Sequence, residues 1–393
     1  MEDVTFPKGF RALGLACGIK KNGAPDLGML VSDPPALALA AFTRNAVKAA
    51  PVLYCREVIA GGGKVSHVLV NSGNANACTG DRGYADALRE AEILREHVRP
   101  AGEVLISSTG VIGEYLPMDR IAAGIARLAK GTGETTSFLR AIMTTDTSEK
   151  KARTSLQLDG REVRLGGVAK GAGMIRPDMA TMLAYITTDI ELEPGYGAAF
   201  HHAVDGTFNS ISVDGDMSTN DTVVLLANGA SGVRYAGLGA EVRAEFDRAL
   251  AGLMQELAKA IVRDGEGATK LVSVEAAGAR SVDDAKAICR AIANSPLVKT
   301  AFFGGDANWG RVLAAAGSAG AELDPSRLSL EFCGVKVMEG GGALAIDEND
   351  LAERMKAKDV SVRLDLGLGS GFWRYWTCDL SYDYVKINAA YRT

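Results

Sequence analysis

A chain of 393 residues exceeds the ~250–300 at which one hydrophobic core stops growing, so two lobes or one large layered domain are expected. Apolar residues at 47% and charged residues at 23% are those of an ordinary globular protein. The formal charge of −5 argues against a phosphate-tracking role, which needs clustered Lys and Arg, and leaves small metabolites as the expected partners.

Cys17, Cys55, Cys78, Cys289, Cys333 and Cys378 form no CxxC pair and no dense framework, which reads as reduced, mostly buried thiols. The opening MEDVTFPKGFR has no signal-peptide pattern, and no apolar run approaches the ~18 residues of a membrane span. A soluble, cytoplasmic protein with neither nucleic acid nor membrane as a partner is expected.

The pattern alternates strands and helices. Val68–Val70 reads as a short apolar strand ending in NSGNANACTG, followed by a helix over Tyr84–His97 with Tyr84, Leu88, Ala91 and Leu94 at helical spacing. Val104–Ile106 reads as a strand stopping at Ser107-Ser108-Thr109-Gly110. The clearest helix is Glu241–Val262, whose Val242, Phe246, Leu250, Leu253, Leu257 and Ile261 line one stripe suited to a sheet. Late strands are expected at Leu328–Phe332, Val360–Leu366 and Phe372–Leu380.

The densest punctuation is LGGVAKGAGMIRP, where the glycines and proline of Gly166–Pro177 predict irregular backbone. TMLAYITT follows at once, rich in β-formers. As a strand it puts Thr181, Leu183, Tyr185 and Thr187 on one face, with Met182, Ala184, Ile186 and Thr188 on the other.

Common chemistries are poorly supplied. His67, His97, His201 and His202 are the histidines, and none has the context of a triad base. No Cys/His cluster has zinc spacing. DGDMSTND (Asp214–Asp221) lacks the glycine and glutamate of a calcium loop and reads as a polar turn. GGVAKGAG, RDGEGATK and GGDANWGR fit no phosphate-binding motif. No metal and no resident cofactor are expected.

One chemistry needs no histidine. If the backbone is cut before a threonine, the freed α-amine, with an ordinary pKa of about 7.7–8.0, can act as base for the adjacent hydroxyl. Thr181, opening a strand after a glycine-rich loop, is where such a residue belongs. A β-branched residue merely opening a strand is the commoner situation, and on these residues alone both readings stand.

Lys170–Leu183, KGAGMIRPDMATML, resembles the autoprocessing signature of the ornithine acetyltransferases, or glutamate N-acetyltransferases, an N-terminal-nucleophile family. PKGF, NSGNANACTG, ISSTGVIG, MTTDT, DGEGATK, NSPLVKTA, NWGR and TCDLSYDYVKINAAYRT fall in the family's order along the whole chain, although NWGR follows GGDA where the family commonly has GxDP. The resemblance implies an α/β fold of layered mixed sheets with flanking helices. It implies self-cleavage between Ala180 and Thr181 into an α segment (1–180) and a β segment (181–393), held together in an α2β2 assembly. The implied reaction moves acetyl from N-acetylornithine to glutamate in arginine biosynthesis, with acetyl-CoA as a further donor in some members.

By the same resemblance Thr181 is the nucleophile, and Thr109 and Gly110 form the oxyanion hole. Thr144, Lys170, Thr181, Glu266, Asn388 and Thr393 contact substrate. A buried amino acid needs its carboxylate and ammonium paired, roles that Lys170 and Glu266 can fill. Two rivals remain: an amidohydrolase of the same nucleophile type, in which water replaces glutamate, and a metabolite-binding protein with a structural Thr181.

Overall fold

The computed structural model describes residues 3–133, 137–176 and 182–390. The strands are β1 (Phe10–Leu15), β2 (Leu27–Phe42), β3 (Val65–Asn74), β4 (Glu103–Val111), β5 (Lys150–Leu158), β6 (Arg161–Lys170), β7 (Leu183–Thr188), β8 (Ile211–Ser212), β9 (Thr222–Ala227), β10 (Leu271–Ala279), β11 (Ser329–Phe332), β12 (Val335–Glu339), β13 (Gly342–Ala343), β14 (Asp359–Asp365) and β15 (Gly371–Cys378). The helices are α1 (Ala50–Ala60), α2 (Gly80–Val98), α3 (Met118–Ala129), α4 (Phe138–Ile142), α5 (Gly197–Asp205), α6 (Ala240–Arg263), α7 (Val282–Asn294), α8 (Pro296–Phe303), α9 (Trp309–Gly317), α10 (Glu348–Met355) and α11 (Tyr382–Ala390). None is long and apolar enough to cross a membrane.

An eight-stranded mixed sheet runs β4-β3-β2-β9-β7-β6-β5, with β1 added on β2, and a seven-stranded mixed sheet runs β13-β12-β11-β14-β10-β15-β8. The fold is the expected α/β arrangement of layered mixed sheets and flanking helices. Strand β2 carries Asp33-Pro34-Pro35 at its middle, where its register to β3 shifts. Proline cannot donate to a ladder, so the strand divides there. Its first half pairs with β1 and β3 and its second half with β9.

The two halves share a core. Val168, Leu183, Tyr185, Val224 and Leu226 pack in the same buried cluster as Leu30, Val68 and Leu69. The alternate residues of the same strands, Ala184, Ile186, Val223 and Leu225, pack with Phe246, Leu250, Leu253, Leu257 and Ile261 of α6. The α6 stripe is therefore the expected one, except that Val242 is only partly buried. The face assignment of residues 182–186 also holds, and every residue of β7 is buried, as a strand covered on both faces requires. Thr181 itself lies outside the described residues.

Two expectations need correction. Strand β4 continues through Thr109 and Gly110, because Ser72 and Gly73 of β3 supply pairing partners there. Strand β6 runs through Gly166 and Gly167, where irregular backbone was expected. These glycines are packing devices: a Cβ on Gly166 would lie 1.9 Å from the Asp3 carbonyl oxygen, and one on Gly167 would lie 2.9 Å from a Leu257 methyl carbon.

The six cysteines are free thiols, with Cys55, Cys289 and Cys378 buried and Cys78 exposed. Glu90 of α2 is 1% exposed, and neither carboxyl oxygen has a hydrogen-bond partner among the described residues. Burial first, then neighbouring Asp86, pushes its pKa from 4.5 to about 8. Between those values the folded state keeps a proton that the unfolded state has lost, so stability falls as pH rises through this window. Glu90→Gln should abolish the fall, worth about 1.4 kcal/mol per pH unit. Urea midpoints of the two proteins should agree near pH 4.5 and separate towards pH 8, with the variant the more stable.

Candidate active site

Strands β6 and β7 are antiparallel neighbours, with Lys170 opposite Leu183. The end of β6 and the start of β7 therefore lie side by side at one end of the eight-stranded sheet, and Ala172, Gly173 and Met174, which follow β6, line a cavity of about 240 Å³. Thr109, Gly110, Thr144, Lys170, Glu266 and Asn388 line the same cavity. Every proposed site residue that the structure describes thus converges on it. Ala180, Thr181 and Thr393 lie outside the described residues.

Thr109 and Gly110 sit at the end of β4. Gly110 has φ +134°, and a Cβ there would lie 2.3 Å from the Gly73 carbonyl carbon. Only glycine lets β3 and β4 approach so closely. Asn220 straps this strand end, donating from Nδ2 to the Ser108 oxygen at 2.8 Å and the Ala75 oxygen at 2.6 Å. The asparagines of NSGNANACTG serve the adjacent loop: Asn71 donates to the Asn74 oxygen, and the Asn76 amide donates to Asn74 Oδ1.

Lys170 is 2% exposed at the end of β6, and its Nζ lies 3.2 Å from Thr144 Oγ1. Burial pulls its pKa below the usual lysine value; Asp146, Asp221 and Glu266 oppose that shift, and Lys150 adds to it. Thr144 is fixed by Asp146, which accepts from the Thr144 amide at 2.9 Å and from the Gly171 amide at 2.7 Å. Asp146 pairs in turn with Lys150 at 2.7 Å, and Lys150 with Asp264. Burial alone would raise the Asp146 carboxyl, but Lys150 and Lys170 outweigh it and hold the group below its ordinary value.

Glu266 follows α6 and is half-buried. Its amide donates to the Ala172 oxygen at 2.8 Å, and its Oε2 accepts from Asn388 Nδ2 of α11 at 2.9 Å. Gly173 makes room for the carboxylate, since a Cβ there would meet Glu266 Oε2 at 2.5 Å. A cation and a carboxylate thus face one small cavity beside a sharp strand end, an arrangement that can hold a zwitterionic amino acid.

The Asp214–Asp221 segment is more than the polar turn expected of it. Asp214, Asp216, Ser218, Thr219 and Asn220 line the cavity. Asp214 accepts from the Met174 amide at 2.6 Å and the Ile175 amide at 2.9 Å, and burial raises its pKa to about 6. Its density of short polar residues was the available signal. Nothing in the sequence paired Lys150 with Asp264, because the two are 114 residues apart.

The ArgJ family matches residues 11–393. The arginine biosynthesis bifunctional protein ArgJ of Geobacter sulfurreducens is 49% identical over 391 residues, covering 98% of this chain and 99% of that protein. Its counterpart in Listeria monocytogenes is 42% identical over 393 residues, covering 100% of this chain and 98% of that protein. A crystal structure of the arginine biosynthesis bifunctional protein ArgJ of Bacillus halodurans shares 39% identity with a TM-score of 0.50, covering 53% of this chain and 98% of that chain. The chain belongs to the ArgJ family and is an acetyltransferase of arginine biosynthesis.

Proposed function

We propose that this protein cuts itself between Ala180 and Thr181 and then carries acetyl on Thr181 from N-acetylornithine to glutamate. The observation that carries this reading is the cavity. Residues from both sides of the proposed cut line it, with Lys170, Glu266 and the Thr109–Gly110 end of β4 facing one volume. The Thr181 amine takes the proton of its own hydroxyl, and the oxygen attacks the acetyl carbonyl. The Thr109 hydroxyl and Gly110 N–H receive the oxyanion, ornithine leaves, and the glutamate amine takes the acetyl. Lys170 meets the substrate carboxylate and Glu266 an ammonium group of the substrate, while Thr144, Asn388 and Thr393 orient the chain.

The segments 1–180 and 181–393 stay together because β9 pairs with β2 on one side and β7 pairs with β6 on the other. Two such pairs make the α2β2 assembly. The relatives' description as bifunctional favours acetyl-CoA as a second donor, used as a substrate, and the work is done in the cytoplasm. The solved Bacillus halodurans chain corresponds to 53% of this one; residues 181–393 are a little over half of it, the size of one processed piece. The amidohydrolase rival is disfavoured by a cavity that provides for both charges of an amino-acid acceptor.

Splitting the 41.1 kDa chain at that bond gives fragments of about 19 and 22 kDa. They should co-purify natively and separate in denaturant, and Edman sequencing of the larger should begin Thr-Met-Leu-Ala-Tyr. Thr181→Ala should remain one chain, and a different new N-terminus would discard the assignment. Thr109→Ala should lower kcat by about 10²–10³, the usual cost of one oxyanion donor; an unchanged kcat moves the hole elsewhere. Double-reciprocal initial-rate plots against N-acetylornithine at several glutamate concentrations should be parallel, and intact mass without glutamate should show acetyl on the larger fragment. Intersecting plots with no adduct would mean direct transfer.

A further inference from the structure

Asp221 is completely buried, at the entry to β9. Its Oδ1 accepts from the Met182 amide at 2.9 Å. Its Oδ2 is equally shielded from water and has no hydrogen-bond partner among the described residues. Burying a carboxyl oxygen without a donor is destabilising, so what it faces needs explaining. Lys170 approaches from β6, and the Thr43 hydroxyl from the end of β2, although that hydroxyl donates to the Ser218 oxygen at 2.8 Å. The Thr43 amide holds the Asp221 main-chain oxygen at 3.0 Å. Burial raises the Asp221 carboxyl well above the usual range, with the Met182 amide and Lys170 opposing it.

Covalent geometry bounds where one further nitrogen can lie. The bonds from one backbone nitrogen to the next keep the Thr181 α-nitrogen within about 4 Å of the Met182 nitrogen, whatever the conformation between them. A carboxyl that binds the Met182 amide is therefore a near neighbour of the amine that cleavage would release. Before the cut that nitrogen is a neutral amide; afterwards it can bear a positive charge.

We infer that Asp221 is the positioning residue for the Thr181 α-amine, its Oδ1 fixing the start of β7 and its Oδ2 receiving the ammonium. The inference rests on the proposed role of Thr181. When the hydroxyl proton passes to the amine and the oxygen bonds to the acetyl carbon, the carbonyl electron pair moves to the oxyanion. The new positive charge then lies beside Asp221, and the same proton is available for the departing ornithine amine. A charge-assisted hydrogen bond of this kind both orients the amine and favours its protonated form.

Asp221→Asn tests this, because the amide keeps an oxygen for Met182 and replaces only the charged oxygen. Folding is checked by circular dichroism and cutting by intact mass. The cut variant should lose about 10²-fold in kcat, at the lower end of what proton-transfer groups contribute. The acid limb of its kcat/KM profile should move to lower pH, since the amine has lost the carboxylate that raised its pKa. Asp221→Glu keeps the charge on a longer stem and should lower kcat while leaving the acid limb in place. An Asp221→Asn enzyme with wild-type kcat and acid limb overturns the inference, as does a folded Asp221→Asn chain that stays uncut, which would put the carboxyl to work on the peptide bond instead. Should Asp221→Asn fail to fold, Asp221→Glu decides alone, and wild-type kcat there overturns it. Failure of the Thr181 reading shows separately, as a wild-type protein whose new N-terminus is not Thr181.

Discussion

Strand β9 is hydrogen-bonded to β2 on one side and to β7 on the other, and the geometry of the cavity depends on that double pairing. The residues just before β9 are held by the strand that follows them. Asn220 can then reach the Ser108 and Ala75 oxygens, and Asp221 can reach the Met182 amide. One six-residue strand thus ties the end of β4 to the start of β7, although those strands are far apart in the sheet order. The break in pairing at Asp33-Pro34-Pro35 divides β2, so that one strand pairs with β1 and β3 before it and with β9 after it.

Charge burial sets the second constraint. Lys150, Lys170, Asp146 and Asp264 are all nearly shielded from water, and removing one member of such a group typically costs about 3–5 kcal/mol because its partner is left uncompensated. These residues are expensive to retain for stability alone. Their geometric product is a fixed Thr144 and a Lys170 ammonium that makes a hydrogen bond to a neutral hydroxyl. A cation held in that way has not committed its charge to a carboxylate by direct pairing, and donors of its ammonium stay available for an incoming one.

Much of this was legible in the sequence, for identifiable reasons. The α6 stripe follows from helical periodicity, and the alternation along β7 from strand periodicity; both are local signals. The strand boundaries at Thr109–Gly110 and Gly166–Gly167 were misjudged because local glycine content argued one way and pairing with distant strands the other. The sites carried by the family motifs converged on one cavity as far as they are described. Asp146, Lys150, Asp264, Asn220 and Asp221 escaped notice because each acts through a partner far away in sequence, and short acidic and amide residues read alone as turn formers.

One cavity would serve two bond-breaking events on the proposed reading, and the chemistry explains why a single set of donors suffices. The Ala180–Thr181 peptide and the acetyl group of N-acetylornithine are both amides. Attack by the same hydroxyl on either carbonyl produces a tetrahedral centre with one oxyanion and one departing nitrogen. Donors oriented in advance at the end of β4 cost no reorganisation in either case. The two events differ in the base. During cleavage the nitrogen of Thr181 is tied up in the bond being cut, whereas during transfer it is free. A carboxyl next to that nitrogen would therefore face a neutral amide first and a titrating amine later. The placement of Asp221, shielded and bound to the Met182 amide, is suited to tolerating the first state and stabilising the second.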